Sequence, residues 1–476
     1  MRTILLMVVL FASSVSAADK PNVLFVMSDQ HNAHFMGVAG HAAVKTPTLD
    51  AMAKDGTYFP NAFCQTAQCC PARYTLFTGR YARSHGCRWN GVKEPLLETT
   101  IAEVLKQQGY ATATFGKHHM QHSPTEHGFD VVVNMDQYTD FMKQEKMKSW
   151  LQQVDQNRGH PLKAVGRTKV DNDHHPAGFW TNNAMDFIQK NANKPFCIWL
   201  SYYGPHTPIV CSNPWADMYK ASDMQLPPNH GSRINDAPPL YGEGQNRFRD
   251  MTDLHHQQAL AAYAGYVSQI DANIGRVLDL LKELKLEKNT IVVYTADHGE
   301  YASEHSMWTK PTMNLDAVVR VPMIVKFPGV VPRGNVRQEL VGSIDLMPTL
   351  LDLAGVDIPK QVQGVSMVPL FADNPESWRN VIFSEIGYPG KPRGGRNVMA
   401  RTHTHKYVHY ENGGEPMEAL FDLQADPWET HNVLADAAYT ETLAELRSAF
   451  QAWESTTERA PMYPVEPQTK HLRKAK

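Results

Sequence analysis

Four short apolar runs, each ending abruptly in polar residues, set the rhythm of this chain. Asn22 to Met27 gives way to Ser28-Asp29-Gln30, and Ala111 to Phe115 gives way to Gly116-Lys117-His118-His119. Phe196 to Tyr203 runs into Gly204-Pro205-His206, and Ile291 to Thr295 into Ala296-Asp297-His298. Runs of this length, rich in β-branched and aromatic residues, predict buried strands. Between them lie stretches with helical spacing, such as Thr99 to Gln108 and Gln258 to Leu286. Strands alternating with helices predict an α/β domain on a large, mostly parallel, doubly wound sheet. Such sheets bind ligands beyond the carboxyl ends of their strands. The four polar clusters are therefore expected along one edge.

The pattern changes after a helix predicted over Ile344 to Ala354 and closed by Gly355. Short strand signals follow at Val381 to Glu385, Asn397 to Arg401 and Lys406 to Tyr410, then Leu420-Phe421-Asp422-Leu423 and a helix around Leu443 to Trp453. They predict a smaller antiparallel C-terminal subdomain over 376–476, packed on a catalytic domain over 18–375. At the other end, Met1-Arg2 precedes an apolar run from Ile4 to Ala12 and the small-residue site Val15-Ser16-Ala17. That order predicts a secretory signal peptide over 1–17 and hence a secreted or periplasmic protein. Crossing a bilayer takes about 20 apolar residues, so no membrane span is expected there or later.

Composition adds exclusions. A chain of 476 residues with 42% hydrophobic and 20% charged residues has ample material for a large core. Its net charge of −3, with no basic stripe, gives nucleic acid no footing as a partner. Six cysteines without a C-x-x-C pair exclude a disulfide-dense scaffold and a structural zinc site.

The chemistry lies in the strand-end clusters. Asp29, Asp297 and His298 would bring carboxylate and imidazole ligands together, with Gln30 adding a carbonyl oxygen. Hard oxygen donors suit a calcium- or magnesium-like ion, and the histidine leaves manganese open. Singly, Asp297-His298-Gly299-Glu300 is a strand-ending turn. A lone Lys117 or Lys310 is ordinarily a solvated charge, and a lone His119 or His206 a satisfied structural histidine.

The combination changes with Cys69-Cys70-Pro71-Ala72-Arg73, continuing into Leu76-Phe77-Thr78-Gly79-Arg80. This stretch resembles the C-x-P-x-R signature of the type I, formylglycine-dependent sulfatases of the alkaline phosphatase superfamily. The resemblance continues through Asn22 to Asp29, Gly116-Lys117-His118-His119, Gly204-Pro205-His206-Thr207-Pro208, Thr295-Ala296-Asp297-His298-Gly299, Trp308-Thr309-Lys310, Arg320-Val321-Pro322 and Leu420 to Asn432. It implies the fold of that superfamily and a formylglycine-generating maturation enzyme as partner, which would convert Cys69 to an aldehyde. It further implies one divalent cation, calcium first, with magnesium or manganese as alternatives, on Asp29, Gln30, Asp297 and His298. Cys69, Arg73, His119 and His206 would be catalytic, and Lys117 and Lys310 would bind sulfate. The hydrated aldehyde would attack sulfur, His206 or Lys310 would protonate the leaving oxygen, and His119 would deprotonate the second hydroxyl so that sulfate is expelled.

Three positions depart from the family pattern. Gln30 stands for a second aspartate, His118 for a tryptophan, and Cys70 adds a thiol without an assigned role. Conversion of Cys69 would leave five thiols, an odd number. The expected activity is hydrolysis of sulfate monoesters, with sulfated carbohydrates as substrates because those are what an exported sulfatase meets. The rival expectations are a phosphate or phosphonate ester hydrolase of the same superfamily and an inactive secreted carbohydrate-binding protein.

Overall fold

The structure, a computed structural model, describes residues 20–92, 98–156, 160–162, 165–310, 313–372, 377–387, 395–411, 415–461 and 463. The expected signal peptide lies outside the described residues. The strands of the large sheet are, in chain order, β1 (Asn22–Asp29), β2 (Thr57–Tyr58), β3 (Ala111–Gly116), β4 (Val131–Val133), β5 (Phe196–Pro205), β6 (Thr290–Ala296), β7 (Met323–Lys326) and β8 (Asn335–Val336). They lie in the order β8-β2-β7-β6-β1-β5-β3-β4. β1 pairs in parallel with β5 and β6, and β3 in parallel with β4 and β5. Only β7 runs against its neighbours β6 and β2. The sheet is thus mixed but mostly parallel, as the strand and helix alternation predicted.

Both faces of β1 are covered, which explains its unbroken apolar sequence. Val23, Phe25 and Met27 point into one hydrophobic cluster, while Leu24 and Val26 point into the other. On the first face the Phe25 and Trp199 rings stack with centroids 3.9 Å apart. On the second, the helices Pro176–Lys190 and Asp253–Glu283 pack against the sheet through Trp180, Ile188, Ile270 and Val277.

Register places the strand ends together. Ser28 lies opposite Ala296, Asp29 opposite Pro205, and Gly116 opposite Ser201. The residues that follow these positions, Asp297, His206 and Lys117, therefore emerge beside Asp29 at one edge.

A second sheet of four antiparallel strands follows, β9 (Ile382–Ile386), β10 (Arg396–Arg401), β11 (His405–Glu411) and β12 (Met417–Asp422), paired in sequence order. One face packs Val398, Ala400, Tyr407 and Leu420 against Leu446, Phe450 and Trp453 of the helix Thr440–Thr456. The other face sends Met399, Val408, Tyr410 and Phe421 into the core of the large sheet. Buried ion pairs join the two units as well: Arg401 Nη2 lies 2.9 Å and Lys406 Nζ 2.6 Å from Asp316. A further small sheet, 154–156 with 165–168 and 209–211, has strands too short for their pattern to be read in advance.

Candidate active site

The signature cysteine opens helix α1 (Cys69–Thr78), every residue of which is buried. Pro71 is accommodated because it lies in the first turn, where its missing N–H would have no helical partner. Gly79, with φ 63°, closes the helix in the left-handed conformation that favours glycine. Gln68 at the N-cap gives no side-chain cap, and the Cys70 amide donates instead to Asn90 Oδ1 at 2.9 Å. Residues 69 and 73 are four apart, so the helical period sets Arg73 on the face that carries Cys69.

Around Cys69 the strand ends converge. One ligand atom each from Asp29, Cys69, Asp297 and His298 lies within 4.8 Å of all the others, and all four residues are buried. The Cys69 sulfur is 3.2 Å from His298 Nε2 and 3.8 Å from Asp29 Oδ1. His298 Nδ1 lies 2.8 Å from the Gly299 carbonyl, which assigns its proton to Nδ1 and leaves Nε2 facing the cluster as an acceptor. Asp297 Oδ1 accepts from the amides of Gln30 and His298, each at 3.0 Å. Its carboxylate is thereby fixed from the backbone.

Arg73 ties this group together from beneath. Its Nη2 lies 3.0 Å from Asp29 Oδ2 and 3.0 Å from Asp297 Oδ2, and its Nη1 donates to Ser201 Oγ at 2.8 Å and to the Lys117 carbonyl. Lys117 Nζ pairs with Asp29 Oδ2 and sits 4.8 Å from the centre of the Tyr203 ring. His119, held at φ 52°, hydrogen-bonds the Cys69 sulfur. His206 donates its amide to the Asp29 carbonyl at 3.1 Å, and its Nδ1 contacts the Thr207 carbonyl, so Nε2 is the ring nitrogen left for a ligand.

Gln30 and Lys310 form a second tier. Lys310 Nζ donates to Gln30 Oε1 at 2.7 Å, and Gln30 Nε2 donates to Glu300. The Gln30 carbonyl oxygen keeps its second lone pair for a cation. Tyr263 holds this residue in place, its hydroxyl donating to the Gln30 backbone carbonyl at 2.6 Å. Every sequence-predicted site residue therefore lies in or against one cluster. Ser201, Glu300 and Tyr263 were not anticipated. Glu300 stood in the Asp-His-Gly-Glu string, while Ser201 and Tyr263 carry no local signal.

Charge is concentrated here without water to screen it. Burial and Cys69 push the Asp29 carboxyl up, but Lys117, His206 and Arg73 outweigh them and hold it below the usual carboxylate range. Burial pushes the Cys69 thiol up, yet Lys117, Lys310, His298 and the His119 hydrogen bond hold it well below the usual thiol range. Burial and Lys117 lower His119, which leaves a neutral imidazole able to accept a proton. Burial lowers His298 too, but Asp297 outweighs it and the group ends raised.

The donor set fits a hard divalent cation. Two carboxylates, one imidazole and a glutamine carbonyl are borderline to hard ligands. The thiolate is the exception, and its sulfur stands where formylglycine would place oxygen. A site of anionic oxygens, arginine and lysine gathered on a buried nucleophile defines a hydrolase of sulfate- or phosphate-type esters.

Comparison with known proteins narrows that class. The sulfatase family model matches residues 21–356, and that of the N-sulphoglucosamine sulphohydrolase C-terminal region matches 303–456. The chain belongs to the sulfatase family and is a sulfuric ester hydrolase. It is 29% identical to an arylsulfatase of Clostridium perfringens, over 90% of this chain and 93% of the relative. It is 24% identical to an N-acetylglucosamine-6-O-sulfatase of Bacteroides thetaiotaomicron, over 90% and 85%. Among solved structures it resembles a phosphonate monoester hydrolase of Silicibacter pomeroyi, with a TM-score of 0.80 and 26% identity over 92% of this chain and 96% of that one.

Proposed function

We propose that this sulfatase removes sulfate from sulfated carbohydrates outside the cytoplasm. It would use formylglycine made from Cys69 by a maturation enzyme, and one calcium ion held by Asp29, Asp297, His298 and Gln30. The observation that carries this reading is the convergence of Cys69, Asp29, Asp297 and His298 within 4.8 Å, with Arg73 bridging the two carboxylates. The N-acetylglucosamine-6-O-sulfatase relative supports the carbohydrate substrate. The charged, apolar and small-residue order of Met1 to Ala17 supports export.

Each residue has a chemical task. The cation, when bound, supplies positive charge and favours the ionised form of a hydroxyl group at position 69. Formylglycine supplies that hydroxyl in hydrated form. Lys117 and Lys310 offer ammonium groups to the sulfate oxygens, where charge must be stabilised as the ester bond breaks. Arg73 neutralises and orients Asp29 and Asp297. His206 delivers a proton from Nε2 to the leaving oxygen, since its Nδ1 faces the Thr207 carbonyl. His119 accepts the proton from the second hydroxyl at position 69.

Paired assays on an aryl sulfate, an aryl phosphate and an aryl phosphonate test the reaction, and sulfate release from defined sulfated saccharides tests the substrate. Preference for the sulfate and release from at least one saccharide are expected. The likeness to the phosphonate monoester hydrolase favours the rival reading, which a preference for the phosphonate would establish in place of ours.

A further inference from the structure

The thiol next to the nucleophile has a partner. Cys70 Sγ lies 3.4 Å from Cys87 Sγ, and both residues are completely buried beside Tyr74 and Met120. No other two cysteine sulfurs are in contact among the described residues. Cys64 faces the Val318 carbonyl at 3.7 Å, and burial pushes the thiols of Cys64, Cys197 and Cys211 up, as expected of inert core cysteines. If Cys69 becomes formylglycine, five thiols remain, and this contact sorts them into one pair and three singles.

We propose that Cys70 and Cys87 form a disulfide that clamps the start of the nucleophile helix to the segment after Gly86. The proposal rests on the reading of an exported protein, because oxidising compartments are where such bonds persist. The 3.4 Å separation leaves about 1.4 Å to close before the sulfurs reach a bond of about 2 Å. The bond would reinforce a link already present, the Asn90 side chain that accepts the Cys70 amide hydrogen bond. Together they would hold the first turn of the helix, and with it residue 69, against the loop at residues 87–90.

The chemistry is thiol–disulfide exchange with a small-molecule or protein disulfide as oxidant. One thiolate attacks the acceptor disulfide and forms a mixed disulfide. The second thiolate attacks the protein sulfur of that mixed disulfide and forms the Cys70–Cys87 bond. The acceptor leaves as two thiols, carrying away two electrons and two protons. Because both sulfurs are buried in the folded chain, closure belongs to folding, and the finished bond is shielded from reduction.

Refolding of the full chain in a glutathione buffer of oxidised and reduced forms tests this directly. After alkylation without reduction, trypsin should yield the 55–73 peptide joined to the 84–88 peptide, about 2 Da lighter than the two together. Fragment ions should place the bond at Cys70 rather than Cys64 or Cys69. Reduction should lower the melting temperature of the wild-type protein by about 3 °C, from the closure entropy of a loop of this length spread over so large a chain. Cys87→Ser should show no shift on reduction. Recovery of both Cys70 and Cys87 in alkylated form, or a bond between other cysteines, would overturn the proposal. Sequencing the N-terminus of secreted protein tests export separately, so the two failures are distinguishable.

Discussion

Arg73→Ala probes the part of the site that one side chain holds together. The guanidinium is fully buried and lies 3.0 Å from both Asp29 and Asp297, with further bonds to Ser201 and the Lys117 carbonyl. Removing one partner of a buried ion pair costs about 3–5 kcal/mol, because the other charge stays desolvated. Lys117 still faces Asp29 in the variant, so the low end applies, about 3 kcal/mol. With unfolding entropy near 2 cal/mol/K per residue, that corresponds to a melting temperature lower by about 3 °C in a chain of this size. The rate should fall further. Both carboxylates lose their common anchor, and a misplacement of about 1 Å in a reacting group costs about 10²-fold. Arg73→Lys keeps the charge but cannot fork between two carboxylates, so it should recover part of the stability and little of the rate. The assays are thermal unfolding and aryl sulfate turnover, on protein in which conversion of Cys69 and metal content have been measured. An Arg73→Ala enzyme with unchanged turnover and melting temperature would refute the bridging role.

Chelation should abolish turnover, and Asp297→Ala should lower both metal content by elemental analysis and melting temperature, since an ion that binds only the folded state stabilises it. His206→Ala should slow sugar sulfates about 10²–10⁴-fold while sparing an activated aryl sulfate, whereas His119→Ala should slow both; steady-state kinetics on the two substrates separates these patterns. Burial pushes the Glu304 carboxyl up to about 8, against hydrogen bonds from Asn229 and Asn32. The folded state therefore holds a proton that the unfolded state releases between about pH 4.5 and 8, so stability should fall as pH rises through that window. Glu304→Gln should flatten this slope in urea unfolding measured from pH 5 to 8.

Much of the site was legible in the sequence because its residues occupy positions that topology makes adjacent. Asp29 ends a buried strand and Lys117, His206 and Asp297 each follow one, and a parallel sheet delivers such residues to one edge. Arg73 was legible only as the arginine of the C-x-P-x-R signature, and the helix that sets it one turn beyond Cys69 came from the structure. The supporting contacts were not, because they join positions far apart in the chain. Arg73 meets Ser201 across 128 positions, and Tyr263 meets Gln30 across 233. Nothing local distinguishes Tyr263 from the other buried aromatics of its helix. The Cys70–Cys87 contact was hidden in a similar way, since a separation of 17 residues has no periodic meaning until a turn folds it back. The antiparallel C-terminal strands were visible from their spacing and β-rich composition. Their union with the main core, through Met399, Val408 and Phe421 on one face, depends on packing that alternation alone does not specify.

The central claim is that turnover depends on an aldehyde at position 69, and peptide mass measurement tests it most directly. The tryptic peptide ending at Arg73 should be about 18 Da lighter in active enzyme, by loss of sulfur and two hydrogens and gain of oxygen at Cys69. Across preparations made with different amounts of maturation enzyme, the converted fraction should rise in proportion to sulfate-ester turnover. Full turnover from protein in which Cys69 is unconverted would contradict the account.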